Sequence, residues 1–526
     1  MGSISTPNTE EFDVVIVGAG LSGINAAYRV QTQLPGYTYT IIEARNAIGG
    51  TWDLFRYPGI RSDSDLHTFG FPWRPWLAAK AIADGDSIRN YIRESAEEFG
   101  IDKKIQYNTK LVAADWGSDE QKWFLSTESK NKGSSGKLKA RFVVFSTGYY
   151  DYDEPLKANI PNLEAFKGQT IHPQFWPEDL DYTGKKMVII GSGATAITIF
   201  PVAAKKAASV TMVQRSPTYI LALPAEDPTG NLIRRFFPAW VASRIMRWKY
   251  LIQPYIFFQF CRAFPNAARK IMHKQAQQNL PKNIPLDPHF KPRYNPWEQR
   301  LCVCPDGDFY TALKNGNTDI VTGNIKSVTE TGLIMDSGKE IDADIIITAT
   351  GLKIMLAGGT KISIDGKHVN PNEKFLWKNT MIQDVPNAAV IIGYTNASWT
   401  LGSDTAALLI CRILKRMESM NLTSATPSLG RTSSPSSNGY ITGSEEKLKV
   451  NGNIEARDPQ WDGMKEMKLL DLNSTYVEKA KGILPKTGDR GPWQPRSSYF
   501  ADAWGSVFGN ITRGVRYEGG GGKKVV

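Results

Sequence analysis

The sequence predicts an α/β protein of two parallel-sheet units, one nested inside the other, with a helical insert. Three observations carry this. "FDVVIVGAGLSG" and "KKMVIIGSGATA" each read as a buried, β-branched strand running into a glycine turn and a helix. Two more buried runs, "ARFVVFSTGYY" and "ADIIITATGLK", end in turns of small residues. Between them lies an aromatic, basic stretch of helical spacing, including "RRFFPAWVASRIMRWKY". At 526 residues the chain exceeds one hydrophobic core, since domains run to ~100–200 residues.

In the first motif, Phe12 to Val17 form the strand, and Gly18, Gly20 and Gly23 follow at dinucleotide spacing. The first glycine permits a tight turn, the second lets backbone approach a pyrophosphate, and the third lets helix pack on strand. "INAAYRVQT" supplies the helix, whose N-terminus favours phosphate. The next strand, "YTYTIIEA", reaches Glu43, where a carboxylate can accept both ribose hydroxyls.

The second motif repeats the pattern with Gly191, Gly193 and Thr195, and Ala196 replaces the third glycine. Its second strand, near Val210 to Val213, ends in Gln214-Arg215 instead of an acid. Arginine grips a 2'-phosphate that a carboxylate would repel. The first site therefore suits FAD and the second NADPH. The turns Ser146-Thr147-Gly148 and Ala349-Thr350-Gly351 let the chain pass close to a cofactor or cross between units. The fold expected is two nested Rossmann-like dinucleotide-binding domains with a helical insert, and hydride transfer to flavin is the simplest chemistry joining the two cofactors.

Composition is that of a soluble protein, 41% hydrophobic and 22% charged, with a formal charge of +11. Without a dominant Lys/Arg block, that charge argues against a nucleic-acid partner. The four cysteines, Cys261, Cys302, Cys304 and Cys411, read as reduced thiols and offer no metal site. The N-terminus shows no secretory pattern, and "GGGGKKVV" reads as a flexible tail. A cytoplasmic location is expected. The run "YLIQPYIFFQFC" is too short to span a bilayer, which takes ~20 residues. The insert packs against the nucleotide units or offers a membrane-surface face.

"FKGQTIHPQFWP" then stands out, a stiff aromatic stretch just ahead of the second motif. It resembles the fingerprint of Baeyer–Villiger monooxygenases, F-x-G-x-x-x-H-x-x-x-W-P, at Phe166, Gly168, His172, Trp176 and Pro177. "GGTWDLFRYPGIRSDSD" is similar to the family's flavin-side segment, and the pattern is nearest the ethionamide-activating branch. The resemblance implies that Gly49, Gly50, Thr51 and Trp52 lie along the flavin, with Asp53 and Tyr57 beside it. It implies that Asp63 orients a catalytic arginine, Arg300, in "YNPWEQRLCVC". Gln299 stands where the family often has a lysine. His172 is expected to be a hydrogen-bonding element of the linker, or a core histidine satisfied by a backbone carbonyl.

Further along, "PNAAVIIGYTNASWTLGSDTAALLICRIL" resembles the return to the FAD domain. A strand at Val390 to Ile392 precedes a helix with Ser403 or Asp404 near its N-cap. Tyr394, Asn396, Trp399 and Leu401 line the flavin site there, and Trp493 and Tyr499 are pocket candidates.

The organisation expected is FAD-binding over 1–150, NADP-binding with the fingerprint linker over 151–225, and the helical insert over 226–325. NADP-binding resumes over 326–383, the FAD domain and pocket loops follow over 384–510, and a tail covers 511–526. The activity implied is insertion of one oxygen atom from O2 next to a ketone carbonyl through a C4a-peroxyflavin, giving ester or lactone, with sulfides as possible substrates. The alternative is an N- or S-hydroxylating flavin monooxygenase, similar to an N,N-dimethylaniline monooxygenase. A disulfide reductase fits less well, because Cys302-x-Cys304 lacks the redox spacing. A monomer or homodimer is expected.

Overall fold

The computed structural model describes residues 9–129, 135–299, 301–430, 447–450, 453–456, 458–470, 475–480, 482–496 and 498–519. Arg300, the first eight residues and most of the glycine-rich C-terminal segment lie outside the described residues.

The first motif forms the centre of a mixed sheet. The strand Glu10–Val17 lies between Tyr39–Ile42 and Ser135–Phe145, parallel to both. Ile105–Gln106 extends one side. On the other, Ser135–Phe145 changes partner along its length. Its first half pairs antiparallel with Lys122–Ser129, and its last residues pair parallel with Ala388–Val390. The buried run Val14, Val15, Ile16 and Val17 shows why this strand is central: both faces are covered. The helix Leu21–Gln33 covers one face and packs against Trp399–Ser419.

The second motif centres a five-stranded parallel sheet. Lys186–Ile190 lies between Ser209–Gln214 and Ile345–Thr348. Gln169–Ile171, inside the fingerprint, pairs with Ile345–Thr348 at one edge. Thr318–Thr322 closes the other edge against Ser209–Gln214. This corrects the expected extent of the insert, because residues 318–322 belong to the sheet and not to the helices.

The insert itself is Pro228–Phe236, Ala239–Ala263 and Pro265–Asn279. The return to the first unit also comes earlier than 384: Lys361–Ile364 already pairs with Thr109–Gly117. The crossing is made at Ala349-Thr350-Gly351, where the chain runs beside the outgoing crossing. There the Asp151 N–H donates to the Lys353 carbonyl at 2.8 Å and the Met355 N–H to the Tyr149 carbonyl at 3.1 Å. The Lys353 ammonium adds an ion pair to Asp151 at 2.8 Å.

Candidate functional site

A cavity of about 1200 Å³ lies where the two units meet. The first motif contributes Gly18, Gly20 and Glu43 to its wall. The segment after it contributes Gly50, Thr51 and Trp52, then Tyr57 and Asp63. The second motif contributes Thr195, and the later return contributes Asn396 and Leu401. The structure therefore brings these predicted residues from four separate parts of the chain to one space.

The two glycine turns are built alike. Gly18 has φ +103°, and a Cβ there would meet the Ser146 carbonyl oxygen at 2.8 Å. Gly191 has φ +138°, and a Cβ would meet the Ala349 carbonyl oxygen at 2.2 Å. Each turn thus presses on the crossing segment of its own sheet. Gly193 differs: its φ is ordinary and, its chain neighbours aside, no protein atom lies within 4 Å of a Cβ built there. Packing gives no reason for glycine at that position, whereas a ligand approaching the backbone does. Gly23 serves packing, since a Cβ would fall 1.9 Å from the Gly18 carbonyl oxygen.

The helices Leu21–Gln33 and Ala194–Ala203 both start from a glycine with no side-chain cap. Their first N–H groups are left for an anion. Ser146 Oγ and Thr350 Oγ1, one in each crossing turn, are buried without a hydrogen-bond partner. The residues present fit two dinucleotides.

Glu43 is buried, and its two carboxylate oxygens accept the backbone N–H groups of Ala19 at 2.6 Å and Arg45 at 2.8 Å. Burial pushes its carboxyl above the ordinary range, and those two N–H groups oppose the shift. Thr51 Oγ1 and Tyr152 OH are 3.0 Å apart. Tyr57 hydrogen-bonds to Thr195, tying the flavin-side segment to the second motif's helix; its hydroxyl is raised chiefly by burial. Asp65, two residues from Asp63, is pushed up to about 6, chiefly by burial.

Asp53 departs from expectation. It is buried outside the cavity wall, held by Arg45 at 2.5 Å and Arg56 at 2.8 Å. Three nearby arginines, with Arg89 at 3.9 Å, account for its direction. Arg215 is exposed at the end of Ser209–Gln214, while Gln214 turns inward to the His289 carbonyl at 2.8 Å.

The helix Trp399–Ser419 starts earlier than expected, with Ser398 at its N-cap. Ser403 and Asp404 therefore lie within it, and Asp404 pairs with Arg29 at 2.8 Å. The helix start reaches the cavity through Trp399 and Leu401. Of the aromatic pocket candidates, Tyr394 and Tyr499 line the cavity. Trp493 does not: it is fully buried and packs edge-on against Trp461.

In the fingerprint, Phe166 and Trp176 are buried, and Trp176 meets Tyr182 edge-on. A Cβ at Gly168 would meet the Asp344 carbonyl oxygen at 2.4 Å, so the segment lies tight on the sheet. Pro177 ends it, its carbonyl accepting the Leu180 N–H. Burial lowers the His172 imidazole below its ordinary value.

Two features were not anticipated. The insert supplies an aromatic wall, with Tyr250, Tyr255, Phe257 and Phe258 on the cavity. Arg61 bridges the units through a bidentate pair with Asp308. "RYPGIRSD" contained that arginine, but nothing in sequence spacing links it to position 308.

Comparison with known proteins places residues 81–424 in a family model described as flavin-binding monooxygenase-like. Residues 16–84 match an NAD(P)-binding Rossmann-like domain. The chain is 44% identical over 495 residues to the FAD-containing monooxygenase EthA of Mycolicibacterium smegmatis, covering 94% of each. Among solved structures, oxidised steroid monooxygenase bound to NADP matches at TM-score 0.65 and 21% identity, covering 79% of this chain and 87% of that one. An open cyclohexanone monooxygenase matches at TM-score 0.64 and 21% identity, covering 80% and 90%. At that identity these two likenesses speak to the fold alone.

Proposed function

The chain belongs to the flavin-binding monooxygenase-like family, and from that membership we propose that it oxygenates the sulfur or amine nitrogen of apolar substrates. It is an FAD-containing, NADPH-dependent monooxygenase with O2 as co-substrate. The heteroatom reading rests on the family match, and the described part of the cavity wall is compatible with it. Among the described residues, the wall contains Arg45, Arg61, Lys110 and Lys249. Each is engaged by a carboxylate: Asp53, Asp308, Asp153 and Asp227 respectively. Oxygen insertion beside a carbonyl leaves negative charge on the substrate's oxygen and calls for a cation aimed at it. A sulfide or amine presents a lone pair and makes no such demand. The aromatic wall of the insert suits an apolar substrate.

Bound FAD, reduced by NADPH, supplies the activation of O2. The chain's own residues bind, orient and exclude water. In this proposal Gly18, Gly20 and the uncapped helix start hold the FAD pyrophosphate. Glu43 anchors the turn through Ala19 and offers its remaining lone pairs to the ribose. Thr51, Trp52, Asn396 and Leu401 border the flavin ring. Gly191, Gly193, Thr195 and Thr350 border NADPH, and Arg215 takes its 2'-phosphate. Tyr57, bonded to Thr195, and the fingerprint hold the two sites in register and keep solvent out.

A second reading, ketone insertion giving an ester or lactone, is supported by the fingerprint with its Trp176-Pro177 ending. In that reading Asp63 positions Arg300 beside the substrate carbonyl. Aerobic incubation of the holoenzyme with NADPH and size-matched sulfides, amines and ketones separates the two. Sulfoxide and N-oxide are expected to dominate; ester or lactone as the main product would transfer the site to the second reading.

A further inference from the structure

The helix Ala239–Ala263 works on two sides. Its inner side lines the cavity with Tyr250, Leu251, Tyr255 and Phe258. Its outer side presents Trp240, Arg244, Trp248, Ile252 and Ile256 at four-residue intervals. Trp240 is 63% exposed, Trp248 57% and Ile256 60%. Leu232 and Phe236 on the preceding helix and Phe264 after it are exposed as well. Across a surface groove, the helix Tyr499–Val507 brings Trp504, whose ring lies 4.6 Å from that of Phe508, and both are exposed. Apolar groups scattered singly over a surface need no explanation, but a contiguous set rimmed by charge marks an interaction face.

The charge on the insert's helices has one sign. No Lys/Arg run stands out, yet residues 228–286 contain ten Lys and Arg and no Asp or Glu. That is nearly the whole of the chain's formal +11. Arg235, Arg244, Arg262, Lys270 and Lys274 are exposed. A second copy of the chain would set these like charges against themselves. A nucleic acid would match the charge and leave Leu232, Ile252 and Ile256 in water. Tryptophans among arginines and lysines on an amphipathic helix suit the headgroup layer of a bilayer, where rings insert and cations meet lipid phosphate.

We propose that this face docks on lipid bilayers containing anionic lipids and lies in the interface. Among the described residues no helix is long and apolar enough to cross a membrane. Leu251, Tyr499 and Phe500 line both the groove and the cavity, so the docked face shares walls with the site.

The test is co-sedimentation of full-length holoenzyme with vesicles of phosphatidylcholine, alone or mixed with phosphatidylglycerol. Binding is expected to the mixed vesicles and to weaken as salt screens it. Arg235→Gln and Arg244→Gln are each expected to weaken it roughly fivefold. Trp240→Ser with Trp248→Ser, which leaves the charge unchanged, is expected to weaken it roughly tenfold or more. These positions lie outside the cavity wall, so FAD content and NADPH oxidation in solution stay as in the parent and report an intact fold. Failure to bind either vesicle would overturn the proposal. So would binding that all these substitutions leave unchanged. The same holds if the tryptophan variant only turns a sedimenting dimer into a monomer and neither form binds vesicles.

Discussion

The Nε2 of His172 lies 3.2 Å from the carbonyl oxygen of Gly351. Its Nδ1 accepts the Gln174 N–H at 3.3 Å, so Nε2 bears the proton and donates. Gln174 in turn donates from Nε2 to the Asp151 carbonyl at 2.7 Å. The fingerprint thereby holds both chain crossings between the two sheets, one at Asp151 and one at Gly351.

Removing that tie should loosen the register of the two cofactor sites while leaving each site whole. His172→Ala is expected to keep its FAD and lose about 1 kcal/mol of stability, the usual net worth of one hydrogen bond. Its hydrogen peroxide released per NADPH oxidised should rise. Unchanged coupling in a folded variant would remove His172 from any role beyond packing.

Two neighbouring glycines should fail in different ways. Gly191→Ala forces a Cβ to within 2.2 Å of the Ala349 carbonyl oxygen at φ +138° and should unfold at clearly lower temperature. Gly193→Ala has open space and an ordinary φ, so its melting temperature should match the parent. Its methyl group occupies the approach to the pyrophosphate, so its KM for NADPH should rise about tenfold or more. Thermal melts and steady-state kinetics on both variants check this, and equal KM values for Gly193→Ala and the parent would count against a dinucleotide at that turn.

Arg215 stands exposed where the second sheet's strand ends. If it takes the 2'-phosphate, Arg215→Ala should weaken NADPH by roughly tenfold to a hundredfold, the range for a charge-assisted pair. NADH, lacking that phosphate, should change little. Equal losses for both cofactors would contradict the assignment.

His67 is buried with both ring nitrogens unpartnered, and its pKa is lowered to about 4, chiefly by burial. A lowered folded value means that protonation favours the unfolded chain. The stability tied to the neutral ring is therefore complete above about 6.5 and drains away as pH falls towards about 4. Asp65, raised to about 6 by burial, acts in the opposite sense over part of that window. His67→Phe isolates the imidazole: its melting temperature relative to the parent should climb steadily between pH 6.5 and 4. A constant difference would show that His67 does not titrate on unfolding.

Much of this was legible in the residues. The spacing of Gly18, Gly20 and Gly23, the acid at Glu43 and the Arg215 ending are local patterns, and strand, turn and helix follow one another without help from distant chain. What periodicity cannot reveal is which strands become neighbours. Thr318–Thr322 reads as any short β-branched run, and its place beside Ser209–Gln214 depends on the whole insert folding back. Side-chain direction is hidden for the same reason. Asp53 turns to Arg45 and Arg56 because folding brings three arginines around it. Trp493 is one aromatic among many in sequence and meets Trp461 only in the folded core.

In the proposed function oxygen goes to a lone pair, which needs no cation, and not to a carbonyl. The most direct measurement is the ratio of sulfoxide to ester formed by the Arg300→Ala holoenzyme and its parent from one substrate carrying both a thioether and a ketone. Heteroatom oxygenation predicts that sulfoxide dominates in the parent and survives in the variant at a similar rate, with flavin reduction intact. Ester as the parent's main product, lost in the variant while sulfoxide survives, would contradict it.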